Sequence, residues 1–316
     1  MRFFRGLALG ASMLALISAC STGGGGSNAP ASGASSSAAA ANNPTVRLGS
    51  DGFYEAKLMA EIYGQALEAN GYKVDRTAIG IGARKVSAPA LESGQFDLKP
   101  EYIGSGLAFY EAGKQTGDPK ANQTELQNVL KPKGITVLDY SPAADQNAFV
   151  VRKETADQFK LAKMSDLTPV AGQLKFGVAT DCPTNPVCGK ALKDAYGIDV
   201  SKATKLSACD TPMAQALLGK TIDVGELCST QPDIVINNLV LLQDDKQTQP
   251  ADNLVPLVRN DYLAKVDKAA FSKILNDVSA KMDTATLTDL GKQVNVDKKD
   301  IGGVAKAWLQ KNGFVK

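Results

Sequence analysis

Residues 46–71 read VRLGSDGFYEAKLMAEIYGQALEANG and predict a strand followed directly by a helix. Residues 46–48 have the character of a short strand, which Gly49 is expected to end. From Ala56 onward apolar residues recur at helical spacing, and Gly71 is a typical C-terminal stop for a helix. Because a strand followed by a helix is the repeating unit of α/β proteins, this stretch indicates that class.

The same alternation continues along the chain. Further strands are expected at residues 96–98, 135–138, 148–151 and 174–178, and helices at 88–93, 106–112, 123–130 and 189–196. Residues 262–312 are expected to be mainly helical. Of the 316 residues, 272 follow residue 44, which is more than one core usually holds. The expected fold is therefore α/β with two lobes, each a parallel sheet covered by helices.

Charge and composition exclude several classes of function. Lys and Arg number 35, Asp and Glu number 33, and histidine is absent. Two of the arginines lie in a segment predicted below to be removed, which leaves 33 basic residues against 33 acidic ones. A nucleic-acid-binding protein normally has a basic excess, so no nucleic-acid partner is expected. Mechanisms that need imidazole as a base or metal ligand are excluded, and no cofactor is predicted.

The N-terminus has the pattern of an export signal. Two arginines precede an apolar run at residues 7–17, and small residues lead to Cys20. The run is too short to span a bilayer, which needs about 20 apolar residues. Its ending resembles the bacterial lipobox, in which cleavage leaves a lipid-modified Cys20; an ordinary signal peptide with a chance cysteine is the alternative. Residues 1–19 are thus expected to be a signal peptide, and residues 20–44 a lipidated, flexible tether.

Four cysteines lie beyond Cys20, and an even number in an exported protein indicates disulfide bonds. Three pairings are possible. The pairing we predict joins Cys182 to Cys188 within one loop and Cys209 to Cys228 between two segments. Zinc is the alternative, but the C-x5-C and C-x18-C spacings differ from the C-x2-4-C spacing of zinc sites. No metal is therefore predicted.

Longer strings carry a resemblance to a known family. They are residues 60–72 (AEIYGQALEANGY), 93–106 (SGQFDLKPEYIGSG), 150–156 (VVRKETA) and 239–246 (LVLLQDDK). Taken in order, they resemble the solute-binding proteins of ABC importers for glycine betaine, proline betaine, choline and carnitine, the ProX/OpuAC-like group. The similarity extends from about residue 46 to residue 314. Pro-Glu-Tyr-x-Gly, at residues 100–104, is the most specific of its motifs.

The resemblance implies a two-lobed type II periplasmic-binding-protein fold with the ligand in the cleft between the lobes. One lobe would hold residues 45–148 plus 253–316 and the other residues 149–252, with crossings near 147–151 and 244–256. The implied function is that of an exported receptor, anchored to the membrane by lipid, with no enzymatic activity. It would deliver glycine betaine or a related quaternary amine to an ABC permease and its ATPase. A monomer is the expected state.

The resemblance also places candidate ligand residues. Family members hold a quaternary ammonium in a cage of tyrosines, and Tyr102 falls on the Pro-Glu-Tyr position. Asn147 and Cys228 stand where relatives show tyrosines, so two rings of the cage are replaced. Asp51 as a counter-charge and Phe53 as a ring face could compensate. The alternatives are a Tyr102 packed at a strand end and an Asp51 that only forms a turn or helix cap.

Polar groups around the expected cleft complete the candidate set. Arg84 lies in the glycine-rich stretch GIGARK at residues 80–85, where backbone amides and the guanidinium could bind a carboxylate. Four further candidates lie at the mouth of the second lobe: Thr180, Asp181, Ser229 and Thr230. These four could donate hydrogen bonds to a ligand. The alternatives are a solvated turn at Arg84 and simple capping by the others.

Three other functions stay open from the sequence. The same fold could bind a different small polar or aromatic solute. Paired carboxylates such as Asp51 and Glu101 could do acid–base work in a surface hydrolase or transferase. An anchored surface-interaction protein would bind no small ligand at all. A receptor closes on its solute without turnover, which separates it from an enzyme.

Overall fold

The computed structural model describes residues 43–316, so the predicted signal peptide, Cys20 and nearly all of the tether lie outside the described residues. The strands of the described part are β1 (Val46–Asp51), β2 (Val74–Gly82), β3 (Leu98–Tyr102), β4 (Ile135–Val137), β5 (Asn147–Val151), β6 (Phe176–Val178), β7 (Thr204–Lys205), β8 (Val224–Cys228), β9 (Val240–Leu241) and β10 (Leu254–Arg259). Its α-helices are α1 (Tyr54–Ala69), α2 (Arg84–Glu92), α3 (Ile103–Tyr110), α4 (Pro119–Leu130), α5 (Lys153–Phe159), α6 (Gly189–Tyr196), α7 (Thr211–Leu218), α8 (Asp233–Ile236), α9 (Asn260–Leu263), α10 (Lys268–Ala280), α11 (Thr284–Asn295) and α12 (Ile301–Lys311).

The first sheet has the strand order β2-β1-β3-β10-β4. Strand β1 runs parallel to β2 and β3, whereas β10 runs antiparallel to β3 and β4. Side chains of β10 alternate between two cores, with Leu254 and Val258 in one and Val255 and Leu257 in the other. Helices α1, α10, α11 and α12 cover the first face, and α2, α3 and α4 cover the second. The residues packed around this sheet form the first lobe.

The second sheet repeats this plan with the order β7-β6-β8-β5-β9. Strand β6 runs parallel to β7 and β8, and β5 runs antiparallel to β8 and β9. Residues of β5 again alternate, since Phe149 and Val151 face one core and Ala148 and Val150 the other. The residues packed around this sheet form the second lobe.

The chain passes between the two sheets twice, and the two crossings lie side by side. It leaves the first sheet after β4 and returns to it at β10. Ala144 and Asn253 form an antiparallel bridge, and the N–H of Asp145 donates to the carbonyl of Asp252 at 3.1 Å. We call these paired crossings the hinge, because they are the two covalent links between the lobes.

Most predicted strands are confirmed, but several boundaries differ. Strand β1 continues past Gly49 to Asp51. The glycine is needed for close packing rather than for ending the strand, because a Cβ at this position would lie 2.5 Å from the ring of Phe96. The strand expected at 96–98 instead starts as β3 at Leu98, and Phe96 lies before it. Strand β5 begins at Asn147, two residues before the expected start of the second lobe.

The predicted helices are confirmed, and three of the four, at 88–93, 106–112 and 123–130, begin earlier than expected. The helix expected at 123–130 lies within α4, and the helix expected at 189–196 coincides with α6. The helices expected at 88–93 and 106–112 begin earlier, at the starts of α2 and α3. The tail is helical as expected, from α9 to α12, and it follows directly on β10. Within residues 43–316, no helix combines the length and the apolar character that crossing a membrane requires.

Candidate ligand site

The two lobes meet at a buried carboxylate, that of Glu55. This residue lies in the first turn of α1, just after β1, and is 1% exposed. Thr230, which follows β8 in the second lobe, donates from Oγ1 to Glu55 Oε2 at 2.8 Å. Tyr102, at the end of β3, donates its hydroxyl to Oε1 of the same carboxylate. The ends of β1, β3 and β8 therefore converge on one point in the cleft.

A second buried carboxylate, that of Asp145, lies in the hinge. Its Oδ1 accepts from the N–H of Thr230 at 3.0 Å and from Ser229 Oγ at 3.1 Å. Burial raises the pKa of Asp145 to about 6. Burial and, next, the charge of Asp145 raise the pKa of Glu55 well above its usual value. Both effects favour the neutral acid at Glu55, and a cation brought beside it would favour the carboxylate.

Aromatic side chains accompany Glu55 in the first lobe. The rings of Phe53 and Tyr102 have centroids 6.0 Å apart and are tilted by 33°. Tyr54 packs so closely on α11 that a Cβ at Gly291 would lie 2.9 Å from its ring. Burial and then the charge of Glu55 raise the pKa of Tyr102, so its hydroxyl stays protonated and donates. Phe53 and Tyr54 thus lie directly before Glu55 in the sequence, and Tyr102 bonds to its carboxyl group.

Four charged side chains form an ion-pair network in the first lobe. Arg84 Nη2 lies 2.9 Å from Glu101 Oε1, and Lys99 Nζ lies 2.7 Å from Glu101 Oε2. Lys99 Nζ also lies 3.1 Å from Asp51 Oδ1. Burial alone would raise the pKa of Glu101, but the charges of Arg84 and Lys99 outweigh it and hold this pKa at about 2. Two cations therefore balance two carboxylates, and the structure pairs Asp51 and Arg84 with protein groups.

Two second-lobe candidates lie beside a small cavity. Asn147 Nδ2 donates to the carbonyl of Val187 at 3.3 Å. Asn147 and Ser229 are among the residues that line a cavity of about 80 Å³ in the second lobe. Ser229 also accepts from the N–H of Gln146 at 3.0 Å, which fixes its hydroxyl near the hinge. These contacts hold Ser229 and Thr230, which we call the Thr230 segment, in place against the first lobe.

The other two second-lobe candidates lie in the loop after β6. Thr180 and Asp181 are both exposed. The carboxylate of Asp181 accepts from Asn185 Nδ2 at 3.3 Å, and its carbonyl accepts from the N–H of Asn185 at 3.1 Å. Asp181 thus closes a turn within the second lobe, whereas Thr230 is the candidate that the structure brings onto Glu55.

Both predicted cysteine pairs are bonded in the structure. The Cα atoms are 5.1 Å apart in Cys182–Cys188 and 4.8 Å apart in Cys209–Cys228. Cys228 ends β8 directly before Ser229 and Thr230, and Cys209 lies two residues before α7. This bond therefore fixes these two residues to the start of α7. Within residues 43–316, each cluster of three potential metal ligands includes both sulfurs of a disulfide, so neither offers a thiolate.

Sequence reasoning missed three residues of the site: Tyr54, Glu55 and Asp145. In the pattern, Tyr54 and Glu55 are an ordinary first helical turn, and an acid there is common because it favours the helix dipole. The available signal was their position, since they follow a strand whose end was expected at the cleft. Asp145 lies in a crossing without periodicity, and nothing in the local pattern marks it.

The family model described as the substrate-binding domain of an ABC-type glycine betaine transport system matches residues 44–311. The chain is 24% identical over 278 residues to a glycine-betaine-binding protein of Pseudomonas aeruginosa, covering 85% of this chain and 88% of that protein. It is 26% identical over 282 residues to the glycine betaine-binding protein YehZ of Escherichia coli, covering 86% and 92%.

A solved structure shares the fold. It is described as a glycine betaine/carnitine/choline ABC transporter and superposes with a TM-score of 0.68 at 22% identity, covering 85% of this chain and 99% of that chain. The likeness confirms the two-lobed type II binding-protein fold that the resemblance implied. The family match extends over most of the residues, and it is a match to transport proteins rather than enzymes. The chain belongs to the family of substrate-binding domains of ABC-type glycine betaine transport systems.

Proposed function

We propose that this protein is the solute receptor of an ABC importer and captures a small quaternary amine such as glycine betaine. The observation that carries the proposal is the meeting of Glu55 with aromatic rings at the junction of the lobes. A quaternary ammonium has no N–H group, so proteins attract it with negative charge and with the faces of aromatic rings. Each ring face contributes about 0.5–2 kcal/mol. Glu55 and the rings of Phe53 and Tyr102 supply both.

Capture would occur by rotation of the lobes about the hinge. Thr230 contacts Glu55 directly, so a solute that enters between them must separate the lobes and then be enclosed as they close. Asp145 bonds the Thr230 segment to the hinge, which links the position of that segment to the hinge angle. We expect the two moving parts to follow the sequence-based division, 45–148 plus 253–316 against 149–252, with the first boundary moved to the hinge so that all of β5 belongs to the second lobe. The closed form is the state that a permease would recognise.

The candidate residues take different roles in this proposal. Tyr102 and Phe53 supply ring faces, and Thr230 with Ser229 supplies hydroxyl groups. The remaining candidates act less directly: Asp51 and Arg84 through the ion-pair network, and Asn147, Thr180 and Asp181 as the wall and outer loop of the second lobe.

The N-terminal pattern supports a place outside the cytoplasm. A signal peptide at residues 1–19 would export the chain, and lipid on Cys20 would anchor it to the membrane. The tether at residues 20–44 would let the two lobes reach a permease in the same membrane. An ATPase on the other side completes such an importer, and the receptor would work as a monomer.

A thermal-shift screen of the purified protein tests the proposal. The panel holds glycine betaine, proline betaine, choline, carnitine and ectoine beside sugars, amino acids and plant phenolics. A ligand at 100 times its Kd adds about 2.7 kcal/mol to the free energy of unfolding, which a melting curve resolves. Tyr102→Ala should abolish the shift with quaternary amines, and Tyr110→Ala, on α3, should retain it. A shift with other solutes alone refutes the ligand class, and no shift with any solute refutes the receptor.

A further inference from the structure

Two buried amide atoms at the junction of the lobes have no hydrogen-bond partner. They are Gln231 Oε1 and Asn295 Nδ2, and within residues 43–316 no other buried side-chain nitrogen or oxygen is in this position. Gln231 follows Thr230 in the second lobe and is 1% exposed, and Asn295 ends α11 in the first lobe and is 8% exposed. Buried polar atoms are nearly always paired, because an unpaired one disfavours folding. These two atoms therefore indicate a group that binds there.

The orientation of the Gln231 amide is fixed by its neighbours. Its Nε2 donates to the carbonyl of Asp210 at 3.2 Å and to Asp233 Oδ2 at 3.0 Å. Turning the amide over would place its oxygen against these two acceptors. The unpaired atom is thus an oxygen, and only a hydrogen-bond donor can satisfy it.

Asn295 lies on the other side of the same junction. Thr211 Oγ1, in the second lobe, lies 3.4 Å from Asn295 Oδ1 in the first. A hydroxyl can donate or accept, so either orientation of this amide leaves one of its atoms unpaired. Gln231 bonds to the carbonyl of Asp210 and Asn295 to the hydroxyl of Thr211, so both amides contact neighbouring residues at the start of α7. The unpaired groups therefore belong to one region between the lobes.

Glu55 adds a buried carboxyl group without a cationic partner to this region. Its carboxylate is bonded by the neutral hydroxyls of Tyr102 and Thr230, and no lysine or arginine of the described part contacts it. The network around Glu101 is different, since Arg84 and Lys99 balance its two carboxylates. A buried carboxyl group without a cation is favoured in its neutral form, and a bound cation would stabilise its charged form.

We propose that the cleft selects a cation that carries a hydrogen-bond donor and lacks a carboxylate, a choline-like quaternary amino alcohol, with Glu55 as its counter-charge and Gln231 as acceptor of its hydroxyl. This selection rests on the proposed function, because it concerns the same cleft. Glycine betaine and proline betaine have neither N–H nor O–H and cannot satisfy Gln231. Their carboxylate would also approach Glu55 and Asp145, while Arg84 and Lys99 are already paired. Carnitine has both a hydroxyl and a carboxylate, so its affinity is expected to lie between that of choline and that of the betaines.

Isothermal titration of the purified full chain with two matched cations tests the selection. Choline and ethyltrimethylammonium have nearly the same shape, and only choline has the hydroxyl. Leaving Gln231 unpaired should weaken binding, so choline is expected to bind at least about tenfold tighter than ethyltrimethylammonium and than glycine betaine. This comparison uses the unaltered protein and is independent of how any variant folds.

Variants then assign the preference to the two residues. Gln231→Met keeps the length of the side chain and should make the two cations bind equally, whereas the exposed Gln158→Met on α5 should change nothing. Glu55→Gln should weaken both cations by at least about tenfold and leave their ratio unchanged, because it removes charge and not the acceptor at Gln231.

The possible outcomes separate this proposal from the proposed function. If no quaternary amine binds, the proposed function itself fails. If glycine betaine binds as tightly as choline, or if ethyltrimethylammonium matches choline, the function stands and the selection is refuted. A preference for choline that persists in Gln231→Met means that water alone pairs with Gln231, which also overturns the assignment.

Discussion

Replacing Asp145 by asparagine is expected to stabilise the protein at neutral pH. Asp145 Oδ1 accepts both hydrogen bonds from the Thr230 segment, at 3.0 and 3.1 Å, and an asparagine oxygen can retain both. The substitution removes only a charge that burial disfavours, as the pKa of about 6 shows. Against an unfolded value of about 3.9, and at 1.36 kcal/mol for each pKa unit, ionisation costs about 3 kcal/mol at pH 7. Asp145→Asn should recover about 1–3 kcal/mol of this, since its new N–H₂ group is also buried.

The sign of the effect gives it a distinctive pH dependence. A carboxyl group with a raised pKa in the folded state costs nothing below about pH 4, where both states are protonated. The cost grows between about pH 4 and pH 6 and is constant above. Urea unfolding of both proteins without ligand, from pH 4 to pH 8, measures the difference. Equal pH dependence of the two proteins would refute the reasoning, and the exposed Asp157→Asn controls for the substitution itself.

Two further substitutions test the packing around the site. Serine at both Cys209 and Cys228 opens a loop of 19 residues and should lower the free energy of unfolding by about 3 kcal/mol; urea curves equal to those of the oxidised protein would contradict this. Gly49→Ala should cost about 1–3 kcal/mol, because its Cβ would lie 2.5 Å from the ring of Phe96. Gly172→Ala, with no atom within 4 Å, should change the melting temperature little, and equal losses for the two glycines would show the Phe96 contact to be unimportant.

The fold could be predicted from the sequence because periodicity reports which side chains are buried. Residues 46–71 contain one change of period, from strand to helix, and the structure has β1 and α1 there. The predicted end of β1 at Gly49 is wrong, because a glycine in a strand often marks its end but does not do so here. In the structure Gly49 continues the strand, since its missing side chain makes room for Phe96, a residue 47 positions away. Such close approaches depend on tertiary contacts and leave no local pattern.

The candidate site was predictable in its location but less so in its chemistry. Tyr102 and Thr230 were expected at the cleft, and the structure joins them through Glu55. Asp51 and Arg84 are also predicted to face a ligand. In the structure Asp51 pairs with Lys99, and Arg84 pairs with Glu101. Which charges pair depends on the alignment of β1, β3 and α2, so their balance becomes visible only when these elements are assembled.

The strand order also has a consequence for the order in which the two lobes can assemble as the chain emerges on the far side of the membrane. All elements of the second lobe, from β5 to β9, are contiguous in sequence, so this lobe can form while the chain is still emerging. The first sheet cannot be completed at that stage, because β10 must insert between β3 and β4. Both disulfides lie between β5 and β9, so they can close before β10 is available. The order of assembly thus favours a finished second lobe on which the first lobe completes last.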